Sequence, residues 1–144
     1  MSNSMEEQTI KCVMVIDGDL PLGLIANSAA VLGITLGEQH ADIVGPDVLD
    51  KTGQCHMGIT KLTIPILKGN KALIKELREK LYHAEFSEVT VVDFCDVAQI
   101  CKTYNDFTEK ISHLPEEDLN YLGVALYGDK KLINKLTGAI PLLR

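Results

Sequence analysis

The 144-residue sequence has no tryptophan, and aromatic residues make up only 5% of it. Proteins that bind single-stranded nucleic acid stack the bases on aromatic side chains, so this function has little to build on here. The formal net charge of -6 also produces an overall electrostatic field that repels polyanions. Composition alone therefore predicts no nucleic-acid partner.

The four cysteines lack the close spacing of a metal site or a redox motif. No CxxC pair occurs among the four, which are Cys12, Cys55, Cys95 and Cys101, and the histidines are not spaced as metal ligands. The opening letters MSNSMEEQT are polar and acidic, whereas a secretory leader needs a basic region and then an apolar run. We therefore predict a reduced, cytoplasmic protein with no metal and no cofactor, and a disordered tail over residues 1–9.

One uncharged stretch is long enough to raise the question of a membrane span. Residues 20–37 carry no charge over 18 positions, which is close to the length that a span requires. Pro21, Gly23, Asn27 and other small or polar residues lower the hydrophobicity of this stretch. We therefore predict a helix buried on most of its faces, from Pro21 to about Gly37, and no membrane partner.

Apolar segments typical of strands alternate with segments of helical spacing along residues 10–144. The predicted strands cover residues 10–17, 61–67, 88–94 and 124–128, with a short hairpin around residues 50–53. The predicted helices cover residues 21–37, 70–84 and 96–111, a short segment from Pro115 that Gly123 stops, and residues 130–137 between Asp129 and Gly138. Pro65 favours an edge position for the strand that contains it. This order predicts one α/β domain, a three-layer α/β/α arrangement with a mixed, mainly parallel sheet of about four strands.

Two separated motifs resemble those of type II peptidyl-tRNA hydrolases. KCVMVIDGDLPLGLIANSAAVLG resembles their first strand and helix, and GVALYGDKKLINKLTGAIPLL resembles their last strand and helix. With VGPDVLD, HMGITKLTIPIL and DVAQ, residues 10–144 are similar to a bacterial family of unknown function in the type II peptidyl-tRNA hydrolase-like superfamily. The resemblance implies a small α/β/α domain with a four-stranded mixed sheet, often a dimer.

The resemblance does not extend to two polar positions of these hydrolases. They place a lysine in a GKG-like segment at the start of the first helix, where this chain has Leu24. Their DAGRT-type turn matches residues 93–99 loosely, and its arginine has no counterpart. We therefore expect a small-ligand-binding or regulatory domain, with a homodimer as a candidate assembly. The alternative is a hydrolase of an ester or amide, including a peptidyl-tRNA hydrolase-like activity, the one interpretation with a nucleic-acid partner.

The first group of candidate ligand-binding residues lies where the first strand leads into the first helix. Asp19 and Gly23 belong to this turn, where backbone N–H groups at the helix start could hold an anion. The alternative is a turn that Gly18 and Asp19 form for structural reasons alone. Asn27, one turn further on, either faces a polar pocket or bonds to a neighbouring loop, because a buried amide without partners is costly.

The second group lies at a later strand-to-helix turn and in one loop. Asp96 and Gln99 occupy a position where open α/β sheets place ligands, or else they form a capping box that needs no ligand. His56 is a candidate base if its loop overhangs the same edge, and a solvated side chain otherwise. The sequence assigns no catalytic residue and leaves open whether the protein is an enzyme.

Overall fold

A four-stranded β-sheet forms the centre of the structure, with helices on both of its faces. The structure is a computed structural model that describes residues 9–144. The tail predicted over residues 1–9 therefore lies outside the described residues, apart from Thr9.

The elements follow the predicted alternation of strands and helices. The strands are β1 (Ile10–Asp17), β2 (Val48–Leu49), β3 (Cys55–His56), β4 (Ile66–Gly69), β5 (Thr90–Cys95) and β6 (Tyr121–Asp129). The helices are α1 (Leu22–Gln39), α2 (Lys71–Lys80), α3 (Asp96–Ile100), α4 (Tyr104–Ser112) and α5 (Lys130–Thr137). Short 3₁₀ turns lie at Ala41–Ile43, Ala84–Phe86 and Glu116–Asp118.

The strands of the main sheet lie in the order β4-β1-β6-β5. β1 pairs with β4 in parallel, and β6 is antiparallel to both of its neighbours. The predicted mixed sheet of four strands is confirmed, but the prediction that it is mainly parallel is wrong. β6 is buried along most of its length, and continuous apolar runs of this kind are typical of parallel sheets. The pattern shows that both faces are covered, not which way the strand runs.

Alternate residues of the central strands point to opposite faces, and each face has its own apolar cluster. Met14 and Ile16 of β1 pack in one cluster with Leu32 and Leu36 of α1. The opposite face of the sheet is covered by α2 and α5. The buried residues there include Val13, Val15, Ile74, Leu77 and Ile133. Each side chain of this size contributes about 1.5–3 kcal/mol when it is fully buried.

Two of the predicted helix starts are confirmed by their caps. The Asn70 side chain accepts a hydrogen bond of 2.8 Å from the N–H of Leu73, and Asp129 accepts one of 2.7 Å from the N–H of Lys131. Capping of this kind satisfies N–H groups that have no partner inside the helix. The first of these helices, α2, ends at Lys80, earlier than the predicted residue 84.

The helix predicted over residues 96–111 is divided in two. α3 stops at Ile100, and Thr103 caps α4 by accepting a hydrogen bond of 3.1 Å from the N–H of Asp106. The cap at Thr103 therefore starts a new helix inside a segment whose apolar spacing predicted one continuous helix. Gly123 lies inside β6, so the prediction that it ends a helix is also wrong.

The edge position predicted from Pro65 is confirmed, although β4 begins after this proline. The carbonyl of Pro65 accepts a hydrogen bond of 3.0 Å from Met14. The outer side of β4 pairs with the last residues of the chain. Lys68 donates its N–H to the carbonyl of Pro141 at 2.8 Å, and Leu143 donates to the carbonyl of Ile66 at 2.9 Å. The C-terminal segment thus covers this edge of the sheet.

The predicted hairpin is confirmed. β2 and β3 pair in an antiparallel manner around a turn at residues 50–54, and Gly53 has a φ of 88° that favours glycine. This hairpin forms a separate two-stranded sheet.

Candidate functional site

Several candidate residues follow strands that end on the same side of the main sheet. β1, β4 and β5 run in the same direction, so their carboxyl ends share an edge. Leu20 of the turn after β1 and Leu24 at the start of α1 pack against the same apolar cluster as Ala98 of α3. The fold therefore brings the turn at residues 17–23, which we call the edge turn, to the same side of the sheet as the start of α3.

The edge turn is shaped by its own backbone. Oδ1 of Asp17 accepts a hydrogen bond of 2.9 Å from the N–H of Asp19, and Gly18 donates its N–H to the carbonyl of Gly69 at 3.0 Å. The turn then continues into α1 after Pro21. The backbone of Gly18 and Asp19 thus forms the structural turn that was one of the two alternatives. The carboxylate of Asp19 has no hydrogen-bond or ion-pair partner within residues 9–144.

The start of α1 is open to solvent. Leu22 is 82% exposed, and a Cβ added to Gly23 would meet no atom within 4 Å. Asn27 is exposed as well, and within residues 9–144 its side chain forms no hydrogen bond. The predicted bond from Asn27 to a neighbouring loop is therefore wrong. The next residue, Ser28, is fully buried and donates its hydroxyl to the carbonyl of Leu24 at 2.7 Å.

Lys68 also belongs to this edge, and the sequence analysis missed it. It pairs with Ile16 in the β1–β4 register. A Cβ added to Gly18 would lie 2.8 Å from Cγ and 3.0 Å from Cε of Lys68, so the lysine stem lies along this glycine. Within residues 9–144 its ammonium forms no ion pair. The sequence did contain one indication of this position, because Lys68 stands at the end of a strand, just before Gly69 and Asn70.

Asp96 is held in place by the loop that precedes β6. Its Oδ1 accepts a hydrogen bond of 2.9 Å from Val97, and its Oδ2 accepts one of 3.2 Å from the side-chain amide of Asn120. Cys95, rather than Asp96, occupies the N-cap position of α3, so the predicted capping box is wrong. Gln99 is exposed, and its side chain has no hydrogen-bond partner in the described part of the chain.

His56 lies on the hairpin. Its Nε2 is 2.8 Å from Oδ2 of Asp50, and among residues 9–144 no hydrogen bond joins it to Asp96, Gln99 or Asn27. Hydrogen bonds from Thr52, His56 and Gln54 lower the pKa of Asp50 to about 2. The structure therefore places His56 with Asp50 and the hairpin rather than with the other candidate residues.

A second group of polar side chains, which the sequence analysis also missed, lies under α2. We call it the α2 cluster, and it consists of Lys75, Arg78, Asp93, Glu116 and Tyr121. Nζ of Lys75 donates to the carbonyl of Glu116 at 2.6 Å and lies 3.3 Å from Oε2 of the same residue. The hydroxyl of Tyr121 donates to that Oε2 at 2.6 Å, and Nε of Arg78 donates to Asp93 at 2.7 Å.

The α2 cluster is largely shielded from water. Tyr121 is 2% exposed, and burial together with the bond to Glu116 raises its pKa. The hydrogen bond from Tyr121 holds the pKa of Glu116 below its usual range. Within the described chain, no buried side-chain nitrogen or oxygen lacks a partner. Because the partners of Lys75 and Arg78 lie far away in the sequence, no local pattern pointed to them.

Two of the cysteines are buried in surroundings that suit nucleophilic chemistry poorly. Burial raises the pKa of the Cys12 thiol to about 11, which favours the unreactive protonated form. Cys95 is buried as well, and no disulfide joins the cysteines of residues 9–144. In the same residues, His, Cys, Asp and Glu side chains form no group of three that could hold a metal ion. None of the helices described there has the length and apolarity to cross a bilayer.

Comparison with known proteins supports the fold and the family. The structure is similar to that of the protein of unknown function Atu0240 from Agrobacterium tumefaciens strain C58, with a TM-score of 0.83 and 17% sequence identity. The match covers 93% of this chain and 97% of the other. No protein in a curated collection matches. The family model described as "Protein of unknown function (DUF2000)" matches residues 10–144, and the chain therefore belongs to this family.

Proposed function

We propose that the protein is a cytosolic small-ligand-binding or regulatory domain of the peptidyl-tRNA hydrolase-like superfamily, and that its ligand binds beside the edge turn. The observation that carries this proposal is a pair of unpartnered charged side chains close to Gly18. Lys68 lies along this glycine and Asp19 follows it, yet neither side chain forms an ion pair within residues 9–144.

The two charges favour a ligand that carries both signs. A carboxylate suits the ammonium of Lys68, and an ammonium or amide N–H suits the carboxylate of Asp19. Asn27 and Gln99 are exposed on the adjoining helices and present further amide donors and acceptors. A small zwitterion, such as an amino acid or one of its derivatives, matches this set better than a phosphate, which the aspartates of the turn would repel.

The binding interpretation fits the surroundings better than catalysis. A general base needs a substrate within hydrogen-bond reach and a free lone pair. Asp96 is held by Asn120 and Val97, and His56 lies with Asp50 on the hairpin. The candidate acid–base residues thus have structural partners, whereas the side chains beside Gly18 do not.

A thermal-shift screen tests the proposal. Amino acids, N-acyl amino acids, organic acids and nucleotides are each added to the intact protein. A ligand present at 100 times its dissociation constant adds about 2.7 kcal/mol to the free energy of unfolding, which is a readily measured increase in Tm. We expect the increase for amino-acid-type compounds, and we expect its loss in Lys68→Met and in Asp19→Asn.

Lys110→Met is the matched control for this screen. Lys110 is an exposed lysine of α4 whose ammonium has no ion-pair partner in the described chain. This variant should keep the ligand response of the unmodified protein. A panel without any response, or a response that persists in Lys68→Met, would contradict the proposal.

A hydrolase of esters or amides is the second candidate function, and Lys68 is the observation that favours it. The hydrolases that the sequence resembles carry a lysine at the start of the first helix, and this chain has Leu24 there. Lys68 of β4 supplies an ammonium group from a different strand to the neighbouring Gly18. This edge of the sheet therefore still carries a lysine, although the helix no longer supplies it.

Peptidyl-tRNA and an aminoacyl ester are the substrates for testing this second function. Hydrolysis that Lys68→Met abolishes and Lys110→Met retains would favour it over simple binding. Hydrolysis that is absent from the unmodified protein, or equal in both variants, would count against it.

A further inference from the structure

The C-terminal segment, residues 140–143, runs along the outer side of β4 in an antiparallel direction. Leu142 forms a β-bridge with Leu67 of that strand. Lys68 is tied to the same segment, because its backbone N–H donates to the carbonyl of Pro141 at 2.8 Å. Residues that follow α5 therefore fix the backbone of the lysine that lies beside the edge turn.

Leu143 brings an apolar side chain from this segment to the edge turn. A Cβ added to Gly18 would lie 2.8 Å from Cγ of Lys68 and 3.3 Å from Cδ1 of Leu143, so both side chains lie against the same glycine. Leu143 is half-buried and, like Leu20 of the edge turn, packs against the apolar cluster on the α1 face. The preceding Leu142 is 48% exposed. The two adjacent leucines thus differ in their surroundings, and Leu143 is the one that reaches Gly18.

The ammonium of Lys68 depends on such packing to stay in one place. A lysine stem has several rotatable bonds, and fixing it costs rotamer entropy. Within residues 9–144 no ion pair or side-chain hydrogen bond holds this ammonium. Lysine stems pack along apolar surface while the charged head stays in water. Gly18 and Leu143 provide that surface here, and the stem occupies the space that a Cβ at position 18 would need.

We infer that Leu143 is a positioning residue, which holds the ammonium of Lys68 beside the edge turn. The inference rests on the proposed ligand site, where Lys68 receives a carboxylate. A stem that is held in place before binding loses less rotamer freedom when the ligand arrives, and the affinity is higher for that reason. A purely structural Leu143 would close the edge of the sheet and leave the stem of Lys68 free to move.

Reductive methylation with ¹³C-formaldehyde makes the position of Lys68 measurable by NMR without any ligand. Methylation keeps the charge of a lysine, and Lys68→Arg and Lys110→Arg identify the two methyl signals by removing them. With the original sequence, we expect the signal of Lys68 to be shifted and broadened relative to that of the exposed Lys110. Leu143→Ala should move the Lys68 signal to the position and width of the Lys110 signal, because the stem is then free.

Three variants are the controls for this experiment. Leu142→Ala changes the adjacent leucine of the same segment and should leave the Lys68 signal unchanged. Leu143→Met conserves the side-chain volume and should also keep the signal of the original sequence. Gly18→Ala displaces the stem directly, because its Cβ has no room beside Cγ of Lys68, and it shows where the signal of a displaced Lys68 lies. Leu143→Val removes less of the side chain and gives the same comparison if Leu143→Ala does not fold.

Binding of the twenty standard amino acids to the unmethylated protein is the second measurement, by thermal shift and then by calorimetry. For the amino acid with the largest response, we expect the dissociation constant of Leu143→Ala to be about two- to tenfold higher than that of the original sequence. Leu142→Ala should bind as the original sequence does. An affinity that stays the same although the Lys68 signal moves would overturn the role of Leu143 in binding.

A Lys68 signal that is unchanged by the loss of the Leu143 side chain would overturn the inference altogether. So would a Leu142→Ala variant that moves the signal to the same extent. If no amino acid binds to the original sequence while the Lys68 signal still depends on Leu143, the ligand proposal is wrong and the positioning of Lys68 by Leu143 is confirmed.

Discussion

The α2 cluster and the edge turn contain the same kinds of side chain but differ in whether these have partners. Lys75 of the α2 cluster donates hydrogen bonds to two backbone carbonyls and lies beside Glu116. The side-chain ammonium of Lys68 at the edge turn forms no hydrogen bond or ion pair within residues 9–144. A shielded polar group needs partners because leaving it unpaired is costly, whereas an exposed group has water. The comparison separates residues that stabilise the fold from residues available to a ligand.

Replacement of Lys75 should have the largest effect on stability. Lys75→Met leaves the carbonyls of Glu116 and Leu119 and the Glu116 carboxylate without their shared donor. Breaking a fully buried ion pair costs about 3–5 kcal/mol, and since this one is partly exposed we expect about 2–3 kcal/mol. Urea unfolding measures the change. Lys110→Met should change the free energy of unfolding by less than about 0.5 kcal/mol, and equal effects of the two variants would remove the distinction between the regions.

Removal of the Tyr121 hydroxyl should have a smaller effect. Tyr121→Phe keeps the buried ring and deletes one hydrogen bond to a carboxylate, which is worth about 1.5–3 kcal/mol in general. We expect about 1–2 kcal/mol here, because Lys75 still accompanies the Glu116 carboxylate. Tyr104→Phe is the control, since Tyr104 is 79% exposed. A loss of the same size in this control would show that the hydroxyl of Tyr121 has no special role.

Alkaline pH should reduce the stabilisation that Tyr121 provides by a different route, because this tyrosine ionises in the unfolded chain before it does so in the folded protein. The pKa of Tyr121 is raised in the folded state by burial and by Glu116. Its contribution is therefore intact below the unfolded-state pKa of about 10 and falls as the pH rises above it. Between pH 9 and pH 11 we expect the unmodified protein to lose about 1 kcal/mol more than Tyr121→Phe. Urea unfolding at both pH values checks this, and equal losses would contradict it.

Substitutions at the edge turn should have the smallest effects on stability. Lys68→Met and Asn27→Ala remove exposed side chains without partners in the described chain, so each should change the free energy of unfolding by less than about 0.5 kcal/mol. The same variants should alter ligand binding if the proposed site is correct. If either substitution destabilised the protein as much as Lys75→Met, the replaced residue would be one that stabilises the fold and not one that is free to bind a ligand.

Local features of the sequence predicted a large part of the fold. The apolar run of residues 10–17 is a buried strand, and Asn70 and Asp129 cap helices where their side chains reach the next N–H groups. These predictions hold because the interactions involved span only a few residues. The candidate residues Asp19, Gly23, Asn27 and Gln99 were named from the two strand-to-helix turns at or near which they lie. Their ligand remains a prediction.

Contacts between distant segments account for what was missed. Lys68 joins the edge turn only because β4 pairs with β1, and Lys75 meets Glu116 and Tyr121 only after the sheet has formed. His56 lies on the hairpin and not at the edge turn. The sequence could not show this, because the path of residues 44–61 depends on tertiary packing.

The sequence by itself determined the alternation of elements, the caps and the faces to be buried, because these follow from spacing along one chain. The tertiary structure alone decided that β6 runs against its neighbours, which lysine lies beside the edge turn, and which polar residues pair under α2. Strand direction and partner choice depend on residues that are distant in sequence, and the free energies that select them arise when separate segments pack together.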